Sequence, residues 1–194
     1  MEQKIFFKIP GDRVGALIGP KGKTKKRLEA TFQVDLTIDG DTGNVDIKLK
    51  PEHQDVSVLF TVRNIVQAIG RGFSPDNAFT LRNEEFDLIV IDIEEYVGRS
   101  KNAQNRVKGR IIGKEGKSRV MLEELTECLV SVYGRTVGII GPYEMLPVTK
   151  EAVEMLIKGS FHKTVWNHLY ANRRKMKKEK GELWYEPARR RENS

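Results

Sequence analysis

The segment Leu17-Ile18-Gly19-Pro20-Lys21-Gly22-Lys23-Thr24 returns 94 residues later as Ile111-Ile112-Gly113-Lys114-Glu115-Gly116-Lys117-Ser118. The same shift aligns Gly15 with Gly109, Leu28 with Leu122 and Glu29 with Glu123, company that a chance Gly-x-x-Gly lacks. The period is too long for a solenoid, whose units stack at shorter spacing. A chain of 194 residues can bury two small cores, so the repeat predicts two domains of one kind.

Hydrophobic periodicity gives both halves the same element order. Residues 4–9 alternate as a strand, and Val14, Leu17 and Ile18 share one helical face before the first loop. Leu28 and Phe32 mark a second amphipathic helix after it. Residues 34–38 and 45–49 alternate around the turn-rich Asp39–Asn44 and predict a β-hairpin. Pro51 reads as a helix-start signal for residues 56–69, which Gly70 and Gly72 stop. In the second half the pattern predicts a strand at 86–93, helices at 102–112 and 118–126, and a hairpin of 128–132 with 136–140. One long last helix is expected from about Pro147, with Thr149 as its cap, running on through Phe161, Trp166 and Tyr170. The expected division is 1–75, a linker at 76–85, 86–170, and a basic helix end or tail at 171–194.

Lysine and arginine outnumber aspartate and glutamate 34 to 27, a net charge of +7 that attracts polyanions at long range. The surplus gathers in Arg173, Arg174, Lys175, Lys177, Lys178 and Lys180, with Arg189-Arg190-Arg191 beyond. Nucleic acid is the leading partner class. The apolar stretches are too short to span a bilayer, and the first residues lack a signal-peptide pattern, so a cytoplasmic protein without membrane partners is expected. Cys128 is the sole cysteine, which excludes an internal disulfide; its apolar surroundings predict a buried, inert strand thiol.

A Gly-x-x-Gly turn between two helices lets the backbone approach a phosphodiester chain closely, because neither glycine carries a Cβ. The helix that follows adds free N–H groups and a positive dipole end. The candidate binding residues are therefore Ile18, Gly19, Pro20, Lys21, Gly22 and Lys23 in the first copy, and Ile112, Gly113, Lys114, Glu115, Gly116 and Lys117 in the second. Arg106, Lys108 and Arg110 lead into the second loop and are candidates for flanking phosphates. The loops are not equivalent: Lys21 adds a cation where Glu115 places an anion, so unequal contributions are expected.

Enzymatic chemistry finds little support. His53, His162 and His168 are scattered, no metal-ligand spacing accompanies them, and neither a metal nor a cofactor is implied. The adjacent pairs Glu84-Glu85, Glu94-Glu95 and Glu123-Glu124 diverge on any regular element and do not form a general acid/base couple. A Walker loop would need glycine where Leu17 and Ile111 stand.

The paired loops, their flanking isoleucines and lysines and the element order resemble type I KH domains. That resemblance implies an α+β fold of two tandem KH domains, β-α-GxxG-α-β-β-α, each a three-stranded antiparallel sheet packed by three helices, the second with an extended C-terminal helix. The run from Asn102 to Lys117 is similar to the second KH domain of the archaeal and eukaryotic family of two-KH ribosome-biogenesis proteins that includes the eukaryotic Partner of Nob-One, and the likeness covers essentially the whole chain. It implies a non-enzymatic factor bound to the 3′ region of small-subunit (16S) rRNA. It further implies as partners the endonuclease that trims this end, the dimethyladenosine transferase and the alpha subunit of translation initiation factor two. Eukaryotic members tend to have a degenerate first loop, whereas Gly19 and Gly22 are both present here. Two other classes stay open: a general KH adaptor in transcription or RNA degradation, and a protein-interaction scaffold whose docking face would hold Phe161, Trp166 and Tyr170.

Overall fold

The computed structural model describes residues 4–51 and 55–183. His53 and Arg189 to Arg191 lie outside the described residues. The first unit runs β1 (Lys4–Lys8), α1 (Gly11–Ile18), α2 (Lys23–Phe32), β2 (Val34–Ile38), β3 (Asn44–Leu49) and α3 (Ser57–Gly70). A bridge follows, made of α4 (Pro75–Ala78) and a 3-10 turn at Phe79–Arg82. The second unit runs β4 (Phe86–Asp92), α5 (Glu94–Val97), α6 (Lys101–Ile112), α7 (Lys117–Thr126), β5 (Leu129–Tyr133), β6 (Thr136–Pro142), α8 (Leu146–Ile157) and α9 (His162–Leu183).

Each unit builds one three-stranded antiparallel sheet, in the orders β1-β3-β2 and β4-β6-β5, with the last strand of each hairpin in the centre. Alternation sets which face each strand buries: Val34, Leu36, Val45 and Ile47 are all buried and all point to the helices, while Asp35 and Thr37 face water. Both units therefore have the α+β architecture expected of paired type I KH domains.

Three local expectations are corrected. Pro51 does not start α3, which begins at Ser57, whose N–H donates to Asp55 Oδ1 at 2.9 Å. Thr149 does not cap the last helix: it is buried inside α8, with its hydroxyl 2.8 Å from Met145 O and 3.2 Å from Cys128 Sγ. The single long helix is in fact two, α8 and α9, separated at Lys158–Phe161. Gly159 at φ +95° lets Ser160 N–H reach back to Met155 O at 2.9 Å and its own N–H to Leu156 O at 3.2 Å, a Schellman stop. The first unit ends α3 the same way at Gly72, φ +96°, with Phe73 N–H on Ala68 O.

The outer face of the second sheet packs against the first unit. Ile140 joins the first core, with Phe86, Leu88 and Leu129 packed against it. A Cβ on Gly138 would stand 2.7 Å from the Phe73 ring, and one on Gly72 would meet Tyr133 at 2.7 Å, so small residues permit the approach. Polar contacts close the rim: Ser131 Oγ donates to Arg71 O at 3.0 Å, Asn64 Nδ2 donates to Asp87 Oδ1 at 3.1 Å, and Tyr133 donates its hydroxyl hydrogen to Asp12. The bridge between the units is not a free strap. Phe79 and Leu81 are buried in the first core, Phe79 stacks on Phe32, and the Arg27 guanidinium lies 3.9 Å from the centre of the Phe79 ring.

Candidate nucleic-acid interface

The two loops share one backbone. Gly19 (φ 72°, ψ 172°) matches Gly113 (74°, 175°), and Gly22 (74°, 15°) matches Gly116 (77°, 5°). Between them Lys21 and Glu115 both sit in left-handed conformation, at φ 52° and 55°. The sequence difference Pro-Lys against Lys-Glu is absorbed without moving the chain.

The glycines serve two different ends. A Cβ on Gly19 would overlap Thr24 Oγ1 at 2.2 Å, and one on Gly113 would meet Ser118 Cβ at 2.6 Å, so the first glycine lets the loop fold down onto the next helix. A Cβ on Gly22 or Gly116 would meet nothing within 4 Å. The second glycine is required by its positive φ and leaves open space over the start of α2 and α7, whose N-termini carry no side-chain cap. Lys23 and Lys117 turn their N–H groups back to Pro20 O and Lys114 O, and the positive dipole end of each helix opens onto that space, a geometry suited to phosphate oxygens.

Gly15 and Gly109 extend the same open surface. Each lies exposed inside its helix with nothing within 4 Å of a notional Cβ. Glycine inside a helix costs about 0.5–1 kcal/mol against alanine, and the packing returns nothing for it. A chain passing close to the helix is the benefit it leaves available. The repeat shift marked both residues, but only the geometry reveals bare backbone continuous with the loop.

Glu29 and Glu123 keep the neighbouring sheet edge in order. Leu36 N–H donates to Glu29 Oε1 at 3.0 Å, and Val130 N–H donates to Glu123 Oε1 at 2.8 Å. β2 and β5 are edge strands, so these carboxylates occupy donors that would otherwise invite another strand. Lys25 and Arg119 stand 3.7 and 3.8 Å from the same carboxylates, one helical turn earlier.

Lys21, Lys23 and Lys114 are exposed at their loops, and Ile18 and Ile112 are half-buried at the helix ends before them. Lys117 Nζ lies 3.3 Å from Glu115 Oε2, an exposed pair of small energetic weight that still draws one cation toward the local anion. The three α6 cations separate: Arg106 is exposed, Lys108 Nζ donates to Gly134 O at 3.1 Å, and Arg110 turns away from the loop. Arg110 Nε donates to Leu156 O at 3.1 Å and Nη2 to Ser160 O at 2.5 Å, so it clamps the α8–α9 corner. Arg13 does the same in the first unit, with Nε on Ile69 O at 2.8 Å and Nη2 on Phe73 O at 2.7 Å. Arg13 lies one helical turn earlier in its helix than Arg110 does, so the constant shift could not reveal the correspondence.

Cys128 is buried, and burial pushes its thiol above the ordinary range. Among the described residues no group of three histidine, cysteine, aspartate or glutamate side chains is placed to hold a metal ion, and no helix is long and apolar enough to cross a membrane.

Residues 87–174 match a family model for the second domain of PNO1, described as a eukaryotic type KH-domain (KH-domain type I), and residues 4–58 match the KH domain. A KH domain-containing protein of Methanocaldococcus jannaschii is 49% identical over 179 residues, covering 92% of this chain and 78% of that protein. The pre-rRNA-processing protein PNO1 of Candida albicans is 25% identical over 170 residues, covering 87% of this chain; the match takes in 62% of that longer protein. The solved complex of a/eIF2alpha, aDim2p and rRNA from Pyrococcus horikoshii OT3 contains a chain 42% identical to this one, with a TM-score of 0.85 and coverage of 90% of this chain and 96% of that one.

Proposed function

The chain belongs to the PNO1/Dim2 family of KH-domain ribosome-biogenesis proteins, and from that premise we propose that it binds single-stranded RNA of the small ribosomal subunit, at the 3′ end region of 16S rRNA, during rRNA maturation. The observation that carries the reading is the matched pair of loops: two uncapped helix N-termini, each behind a glycine that opens onto clear space. Such a loop clamps about four nucleotides by their backbone, and bases are then read in the groove beside it.

The residues assigned to the first grip are Ile18 to Lys23, and those assigned to the second are Ile112 to Lys117 with Arg106 at its approach. Gly15 and Gly109 join them as the floor over which the strand passes. Lys108 contributes charge near the β5–β6 turn, and Arg110 acts as a tether. On this reading residues 1–75 and 86–170 are the two RNA-binding units, 76–85 the bridge and 171–194 a basic extension.

The protein works by binding, without chemistry of its own, and does so in the cytoplasm. Its partners besides RNA include the alpha subunit of translation initiation factor two, the component found beside aDim2p and rRNA in the Pyrococcus complex. The rRNA 3′-end endonuclease and the dimethyladenosine transferase are the further partners that the family resemblance implies.

Fluorescence-anisotropy titration of an oligonucleotide matching the 3′ end of small-subunit rRNA, beside a scrambled RNA, tests this directly. Tight binding of the first and poor binding of the second is expected. Equal binding of both would favour a general RNA adaptor, and binding of neither would favour a protein scaffold.

A further inference from the structure

Helix α9 carries seven lysines and arginines against two glutamates, five of the chain's seven net positive charges. Its inner face is settled: Val165 and Leu169 are buried, and Trp166 is half-buried against the His162 ring. The opposite face is not. Lys163, Asn167, Tyr170, Arg174 and Lys177 follow one another at intervals of four and three residues, and all five are exposed. Tyr170 is 45% exposed in the middle of this stripe, and Phe161, at the first corner of the helix, is 83% exposed.

The stripe has a defined origin and direction. His162 Nε2 lies 2.8 Å from Arg110 O, three residues before Gly113, so α9 starts beside the second loop. It then runs along α7, and its Arg173, Met176 and Lys177 share a hollow with Leu125, Thr126 and Glu127 at the far end of that helix. From Lys163 to Lys177 the stripe covers about 21 Å. Among the described residues, neither Arg174 nor Lys177 is paired with a carboxylate.

Exposed aromatic rings interleaved with unpaired cations suit a single-stranded nucleic acid, which offers a base face to the ring and a phosphate to the cation. We propose that α9 is a rail for RNA that has left the second loop, with Phe161 and Tyr170 as stacking platforms and Lys163, Arg174 and Lys177 following the backbone. The proposal rests on the RNA-binding reading above and adds to it a second contact outside both Gly-x-x-Gly grooves.

The test uses the full chain and two RNAs of the same 3′-terminal sequence, one of about six nucleotides, enough for a single groove, and one of about fourteen. Tyr170→Ala and the double variant Arg174→Glu with Lys177→Glu alter only exposed groups. With the longer RNA, Tyr170→Ala is expected to weaken binding roughly tenfold. The double variant is expected to lower the log-log salt slope by about 1.4, two phosphates at about 0.7 each. With the shorter RNA both variants are expected to match the wild type. Unchanged binding of the longer RNA overturns the rail while leaving the loop reading intact, and assigns this face to a protein. Equal losses on both RNAs also overturn it. A wild type that binds neither RNA overturns both the rail and the RNA reading.

Discussion

Lys21 and Glu115 hold the same left-handed backbone position, so the loops differ in charge and not in shape. The first loop presents Lys21 and Lys23; the second presents Lys114 and a Lys117 drawn toward Glu115. Glu115→Lys is therefore expected to tighten RNA binding several-fold at low salt and to lose that gain at high salt, read from anisotropy at two ionic strengths. Cys128 offers a stability check at the same scale. Burial raises its thiol, so its contribution is complete below the ordinary thiol range and is lost as pH rises through the native value. Ellman's reagent at pH 8 is expected to leave it untouched in the folded protein and to react fully on denaturation. The loop glycines and the buried thiol were legible in the sequence because each needs only local context. The separate duties of the paired glycines were not, since Thr24 and Ser118 close on Gly19 and Gly113 only when the helices are in place.

At the scale of elements, the two arginine clamps explain both a success and a failure of the sequence reading. Strand alternation follows from local pattern, and the shared order of strand, helix, loop, helix, hairpin and helix was legible in both halves, though the short helices α4 and α5 were not. The break between α8 and α9 was not. Val153 and Leu156 before it and Val165 and Leu169 after it each keep helical spacing within their own segment, but the step from Leu156 to Val165 is half a turn out of phase, a break at Gly159 that a count of apolar residues alone passes over. The intramolecular tether of Arg110 was hidden for a related cause: its acceptors lie 46 and 50 residues away, at a corner that the sequence reading ran through as one helix. Arg110→Ala is expected to cost about 2 kcal/mol, because Leu156 O and Ser160 O lose charged donors. Chemical denaturation measures that loss. The RNA salt slope of the folded variant is expected to stay at the wild-type value, and a drop of about 0.7 would return Arg110 to the phosphates.

At the scale of the molecule, the second sheet lies on the first unit through Phe73, Gly138 and Ile140, and the bridge is buried on the same side. Calorimetry is expected to show one unfolding transition for both units. Phe73→Ala is expected to remove about 3 kcal/mol and to separate that transition into two. The packing that fixes the two units joins residues 23 to 121 apart, beyond the reach of sequence periodicity.

A rigid pair of units with two intact loops leads to the central claim, that both loops grip RNA. Anisotropy titration of the 3′-terminal rRNA oligonucleotide tests it, comparing the wild type with Pro20→Asp plus Lys21→Asp and with Lys114→Asp plus Glu115→Asp. Aspartate tolerates the left-handed position, so each loop keeps its fold while its charge turns against phosphate. The account predicts weakened binding and a shallower salt slope in both variants, with the larger loss in the first. Wild-type affinity in either variant would contradict it, reducing the protein to a single working grip.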